Sequence, residues 1–240
     1  MVLINSDKCI GCRICIPYCT TNAIRFNPEL KKVIIDKELC VECNTCVRVV
    51  PCPMDAIEPS LSESRKLRNF FSDPISVHTT TGIPGRGTEE MKTNDVTGRF
   101  RKWEIGFVID IGRPHLGLTL KELSKFIKVL NEVGVIYEKN NPILYLMEDM
   151  ESGKIKDDVK DERVLSVVLE FKVPLEKVKT VIEKLKYLAK ITNTVFSVGL
   201  ISRVESDGTI PVINILKEVG VNISPIAKVN VGLGKPLFMD

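Results

Sequence analysis

Eight cysteines are the residues in this 240-residue chain best suited to chemistry. All lie between Cys9 and Cys52, as Cys9-x2-Cys12-x2-Cys15-x3-Cys19 and Cys40-x2-Cys43-x2-Cys46-x5-Cys52-Pro53. Three thiolates at C-x2-C-x2-C spacing can wrap one iron–sulfur cluster, with a fourth arriving from a distance. Two other chemistries use thiols. Structural zinc takes four ligands per ion from paired C-x2-C knuckles, so thiols in threes suit it poorly. Disulfides belong to oxidising compartments, and nothing marks this chain as secreted.

The elements that must position these thiols form two copies of one unit. Cys9 to Ala23-Ile24 matches Cys40 to Ala56-Ile57, with two extra residues in the second copy. Short apolar runs, Val2-Leu3-Ile4 and Val33-Ile34-Ile35, precede the copies and read as strands. On these motifs residues 1–59 resemble a bacterial-type 2[4Fe–4S] ferredoxin. The resemblance implies two [4Fe–4S] clusters with crossed ligation. Cys9, Cys12, Cys15 and Cys52 would hold the first, and Cys40, Cys43, Cys46 and Cys19 the second. The sequence departs from that pattern twice: Thr20 stands where the first run usually has Pro, and five residues, Val47 to Pro51, precede Cys52 instead of three.

The rest of the chain is long enough for a core of its own. A hydrophobic content of 44% and a charged content of 27% are those of a globular protein. The formal net charge is +3, and residues 1–59 hold seven Lys/Arg against seven Asp/Glu, so the basic excess sits downstream. It is too small to argue for nucleic acid, and Trp103, Tyr137, Tyr145 and Tyr187 are scattered, unlike a stacking platform. No run of about 18 apolar residues is present to span a membrane. The first residues lack the basic and apolar regions of a signal peptide. Free thiols and oxygen-sensitive clusters lead us to expect the reducing cytoplasm of an anaerobe.

Residues 60–102 read as a linker that changes character midway. Ser60 to Phe71 carries Leu61, Leu67, Phe70 and Phe71 among Arg65, Lys66 and Arg68, a short helix expected to lie on the cysteine module. Thr79 to Arg99 is almost free of apolar residues. Its Gly82, Gly85 and Gly87 allow tight turns, and Arg86 adds a fork of donors for an anion. We read it as an interaction loop where a substrate or partner is met; the competing reading is a plain polar linker. Together with Ile109-Asp110-Ile111-Gly112-Arg113-Pro114, this stretch is similar to ferredoxin-type proteins of the 6-hydroxynicotinate reductase kind. That similarity implies low-potential electrons delivered to a heteroaromatic ring. No flavin-binding signature accompanies it. His78 and His115 lack the partners that a catalytic histidine needs, and Gly232-Leu233-Gly234-Lys235 lacks the spacing of a phosphate loop.

From 103 to 240 the pattern is that of a mixed domain. Strands are expected at Ile105–Ile111, Ile143–Met147, Val164–Val173, Thr194–Val204 and Ile223–Val231. Thr119-x2-Glu122 reads as a capping box opening a helix with Leu120, Leu123, Phe126, Ile127, Leu130 and Val133 on one face, closed by Gly134. A second stripe follows Pro174, and a third helix spans Asp207–Val219 before Gly220. The order β-α-β-β-α-β, then α-β, predicts an α+β chain: a two-cluster ferredoxin module followed by a ferredoxin-like sandwich with an appended unit. The turn Gly220-Val221-Asn222-Ile223-Ser224 also resembles small amino-acid-sensing domains of the ACT type.

These readings converge on an electron-transfer protein or subunit that passes single low-potential electrons to or from a catalytic partner, as the electron-transfer component of an oxidoreductase would. Two alternatives stay open: a reductase of the 6-hydroxynicotinate type, and a redox-linked regulator binding a small molecule through an ACT-like domain. The sequence leaves the oligomeric state open.

Overall fold

The computed structural model describes residues 2–59, 66–77, 82, 100–113 and 116–223. The cysteine module comes first. Strand β1 (Leu3–Ile4) pairs antiparallel with β4 (Ile57–Glu58), and β2 (Ile24–Asn27) with β3 (Lys32–Ile35). A 3-10 turn, Ile16–Tyr18, and helix α1, Thr45–Val49, occupy matching places in the two copies. The two extra residues of the second copy thus lengthen a tight turn into an α-helical one.

The repeat extends to the backbone. Asn5 and Asp36 each follow a strand, and each side chain accepts the amide N–H groups two and three residues on. Each carbonyl then accepts the amide of the first cysteine of its run, Cys9 at 2.9 Å and Cys40 at 3.0 Å. Left-handed backbone recurs in step, at Gly11 and Glu42, Arg13 and Asn44, Asn22 and Asp55.

Helix α2 (Lys66–Ser72) follows. It is the short helix expected after the module, and residues 60–65 lie outside the described residues. Its Phe71 is buried in the core of the second half of the chain.

That core lies under a four-stranded antiparallel sheet. Its strands are β5 (Glu104–Ile111), β7 (Ile136–Tyr137), β11 (Val167–Pro174) and β12 (Phe196–Ile201), in the order β12-β5-β11-β7. Alternate residues of β5 and β11, from Ile105 to Ile111 and Val167 to Val173, face α3 (Leu120–Asn131) and α4 (Val178–Ile191) with the period of two that a strand imposes, and in β11 the intervening Val168 and Glu170 are buried too. Phe107 and Phe171 are register partners with nearly parallel rings 5.2 Å apart. On the opposite face Phe100 lies over Gly106, where a Cβ would come within 2.5 Å of its ring. Short ribbons complete the domain: β6 (Leu118–Thr119) with β10 (Arg163–Val164), and β8 (Met147–Asp149) with β9 (Lys154–Ile155). Helix α5 (Val212–Glu218) ends in Gly220, whose N–H bonds to Lys217 O while Val221 N–H bonds to Leu216 O.

The structure corrects several expectations. Residues 143–147 are not a strand of the sheet. Pro142 fixes its own φ, Asn141 accepts the Ile143 N–H at 3.0 Å, and a 3-10 turn, Pro142–Leu146, results. The sheet takes Ile136–Tyr137 instead. The expected strand from Val164 to Val173 is split, with Val164 pairing to β6 and the sheet strand starting at Val167. Thr119 caps α3 by position, but its side chain makes no cap bond. Glu122 turns away to accept from Lys125 and from the Asn193 N–H. The third helix starts at Val212, because Asp207 and Thr209 close a separate turn. The strand expected at 223–231 lies outside the described residues from 224 onward.

Candidate iron–sulfur centres

The cysteine module forms two matching spaces, each lined by four of its cysteines. The first is lined by Cys9, Cys12, Cys15 and Cys52 with Ile4, Ile10, Ile14, Val33, Val50, Met54, Ala56 and Ile57. The second is lined by Cys40, Cys43, Cys46 and Cys19 with Tyr18, Ile24, Ile35, Val41, Glu42, Asn44 and Thr45 among its neighbours. Each space takes three thiols from one run and the fourth from the other.

The fourth thiols are held alike. Cys19 Sγ accepts the Ala23 N–H at 3.1 Å, and Cys52 Sγ accepts the Ala56 N–H at 3.4 Å. Such donors favour the charged thiolate. Burial acts the other way. It is the largest influence on Cys15, whose thiol it pushes up to about 11, with Cys12, Cys9 and Cys52 adding like-charge repulsion. Burial likewise raises Cys40 to about 11, helped by Glu42, Cys43 and Cys19. Cys46 is raised to about 12 by burial and by Cys43, Cys40 and Cys19. The thiols that repel one another are those that share a space. Four thiolates gathered around one space need a cationic centre, and a coordinating metal deprotonates them outright.

A single ion does not suit the geometry. Among the described residues no three His, Cys, Asp or Glu side chains gather tightly enough to hold one metal ion. The thiols stand around the wall of each space, as a larger inorganic group bound at its corners requires. All eight are free of disulfides.

The surroundings of the two spaces differ. Beside the first, Lys32 Nζ donates to the Cys9 carbonyl, the Arg13 guanidinium lies 3.7 Å from the Phe26 ring centre, and Cys12 is exposed. The second faces α2. Buried Arg68 donates to the Lys37 and Cys40 carbonyls, each at 3.1 Å, and ion-pairs with Glu162. Asn69 donates to the Glu42 carbonyl at 2.9 Å. Asp73 is buried and accepts from Asn44 at 2.8 Å and from Arg48 at 3.0 Å. Burial by itself raises the Asp73 carboxyl, but the bonds from Arg48, Asn44 and the Ile75 N–H together outweigh it and hold the carboxyl below its ordinary range. Ser72 Oγ accepts the Leu165 N–H at 2.9 Å, so α2 is bonded to both halves of the chain.

Sequence reasoning set Arg68 on a helix against the module without giving it a bond to make, and it missed Asn69 and Asp73, polar residues without periodicity. It also passed over Glu42, which the cysteine spacing leaves unspecified. Of the expected interaction loop, Gly82 is exposed and open, with φ +67°. Gly85, Arg86 and Gly87 lie outside the described residues, as do His78, His115 and Gly232 to Lys235. Thr20 is in place beside Cys19, and its buried hydroxyl has no hydrogen-bond partner among the described residues. Among the described residues no helix is long and apolar enough to cross a membrane.

Comparison with known proteins agrees with this geometry. Residues 8–56 match the family described as 4Fe-4S dicluster domain. The chain is 47% identical over 53 residues to the indolepyruvate oxidoreductase subunit IorA of Thermococcus kodakarensis, a match covering 22% of this chain and 8% of the relative. Its counterpart in Pyrococcus abyssi is 46% identical over 55 residues, covering 23% and 8%. The chain therefore spans less than a tenth of the length of these relatives. An uncharacterized ferredoxin-like protein of Haemophilus influenzae is 37% identical over 84 residues, covering 32% of this chain and 94% of the relative.

Proposed function

We propose, for a chain that belongs to the ferredoxin-like proteins with a 4Fe–4S dicluster domain, that it is the electron-carrying partner of a separate catalytic protein. Its role is electron transfer, and it carries two [4Fe–4S] clusters. When bound, these supply reversible one-electron chemistry, while the protein sets ligation, burial and orientation.

The ligand set we assign is Cys9, Cys12, Cys15 and Cys52 for cluster 1, and Cys40, Cys43, Cys46 and Cys19 for cluster 2. The observation carrying this assignment is the pair of thiol-lined spaces, each completed by a cysteine of the other copy. The amides of Ala23 and Ala56 orient the two crossing thiols. Apolar side chains line the first space, and α2 braces the loop around the second.

A catalytic partner is favoured because the archaeal relatives are oxidoreductase subunits by name. We divide the chain into a cluster module at 1–59, a connecting segment at 60–102 and a second domain at 103–240. The strand order β12-β5-β11-β7, with a helix after the first and third strands, supports reading the second domain as a ferredoxin-like sandwich. Its role in this reading is to dock the partner. Free thiols suit a reducing cytoplasm.

Anaerobic reconstitution tests the proposal. The loaded chain should hold about eight iron and eight sulfide, the content of two four-iron clusters. Cys52→Ala should remove the EPR signal of the cluster held by Cys9, Cys12 and Cys15 and spare the other. Loss of the other signal would refute the crossed ligation, and stoichiometric zinc would refute the reading altogether.

A further inference from the structure

The loop at 40–44, which carries two thiols of the second space, is held from outside. Arg68 of α2 donates to the Cys40 carbonyl at 3.1 Å, and its neighbour Asn69 donates to the Glu42 carbonyl at 2.9 Å. Arg48 of α1 donates to the Cys43 carbonyl at 2.6 Å and is itself anchored on buried Asp73, just past α2. The matching loop of the first copy is held once, by Lys32 on the Cys9 carbonyl. Among the described residues no side chain donates to the Gly11 or Cys12 carbonyl, the counterparts of Glu42 and Cys43. Pro17 stands where the second copy has Arg48.

These bonds fix where the amides point. In a planar trans peptide the N–H lies opposite the C=O. The peptide units whose carbonyls are held carry the N–H groups of Val41, Cys43 and Asn44. All three residues line the second space, whereas neither Arg48 nor any residue of α2 does, so the loop stands between its holders and the space. Carbonyls turned outward leave these N–H groups turned toward the thiols. Among the described residues none of the three N–H groups donates to a protein acceptor. Val41 is buried, and a buried N–H without an acceptor costs free energy comparable to a lost hydrogen bond. The group seated among the thiols can supply the acceptors through its sulfur atoms.

From these observations we infer that Arg68, Asn69 and Arg48 are positioning residues that tune cluster 2. They hold the amides of Val41, Cys43 and Asn44 as donors to its sulfur atoms, and so keep its reduction potential higher than the loop alone would. Donors to the sulfurs favour the form with the added electron, and such bonds are among the determinants of a cluster's potential. Two of the three holders depend on α2, outside the cysteine module, so the rest of the chain acts on one cluster and not on the other. The inference rests on the two-cluster reading above.

Voltammetry of the iron-loaded full chain tests it. The wild type should give two one-electron waves. Asn69→Leu removes a donor without changing charge. It should move one wave to more negative potential by at least the equivalent of a tenfold change in the reduction equilibrium, 59 mV, with the other wave in place. The moving wave should be the one that persists in Cys52→Ala. Pulsed EPR of reduced Asn69→Leu, compared in light and heavy water, should show weaker coupling of cluster 2 to exchangeable protons. A positive shift, equal shifts of both waves, a shift of the wave lost in Cys52→Ala, or no shift at full iron content would overturn the inference. A negative shift with unaltered proton couplings would also overturn it, because the amides would then not be the cause. Should Asn69→Leu fail to hold iron, Arg68→Lys, which keeps the charge but lacks the guanidinium fork, must show the same single-wave shift. Absence of two waves in the wild type would instead count against the two-cluster reading.

Discussion

Around the thiols the shared apolar cluster is small, with Cys9, Cys15, Ile24, Val33 and Ala56 buried, while the sheet domain buries Phe107, Phe126 and Phe171 with long aliphatic stripes from α3 and α4. The contrast teaches that the two halves are stabilised by different physics. A unit as small as the cluster module removes too little apolar surface from water to stand on burial alone, and metal ligation commonly makes up the difference. The sheet domain has no such need. Helix α2 serves both, with Phe71 in the large core and Arg68 against the Cys40 loop.

Iron removal should separate the halves most strongly. Chelation under reducing conditions is expected to bring the amides of β1 to β4 to full hydrogen exchange while those of β5 and β11 stay protected. Joint loss of protection would break the comparison. The reverse perturbation comes next. Phe107→Ala empties the stacked pair with Phe171 and should cost the sheet domain about 3–5 kcal/mol. Urea unfolding followed by far-UV circular dichroism would register this, with iron content unchanged at low denaturant.

Cutting the brace is a milder change. Arg68→Met leaves the Lys37 and Cys40 carbonyls and Glu162 without their donor, for an expected cost of about 1–3 kcal/mol. The signature is kinetic as well: iron should leave the second space faster to a chelator, with the first unaffected. A uniform acceleration would show that α2 steadies the whole module.

The smallest effect concerns acid. The folded-state carboxyl of Asp73 lies below its ordinary value, so its contribution is complete above the unfolded pKa. That contribution is lost as pH falls from there through the folded pKa. Asp73→Asn should therefore flatten the fall of melting temperature across that acid window, while above it the variant is simply less stable. Parallel pH profiles for the two proteins would deny Asp73 this role.

Legibility in the sequence followed the physics of each element. Cysteine spacing is dictated by an inorganic group of fixed size, so the motif was visible without the fold. The stripes of α3 and α4 and the alternation in β5 were visible because one face of each is buried. Residues 143–147 misled because an apolar run of five has no clear period, and Pro142 with Asn141 decided its shape locally. The brace was hidden for another reason. Arg68, Asn69 and Asp73 act on backbone carbonyls and on partners far along the chain, and such bonds leave no pattern in composition. Glu42 was hidden in the same way, since its carboxylate accepts from the Val2 amide far back in the chain.

The pairing of β1 with β4 sets Leu3 opposite Glu58, so the cluster module begins and finishes at one place on its surface. A unit with adjoining ends behaves as a cassette: it can be spliced between other segments, or fused to either end of one, without pulling its interior apart. The lining of each thiol space is completed across the two copies inside that closed circuit, and all eight cysteines lie within it. A two-cluster module of this build can thus be carried by chains of very different length, with the attached parts free to change the partner it serves.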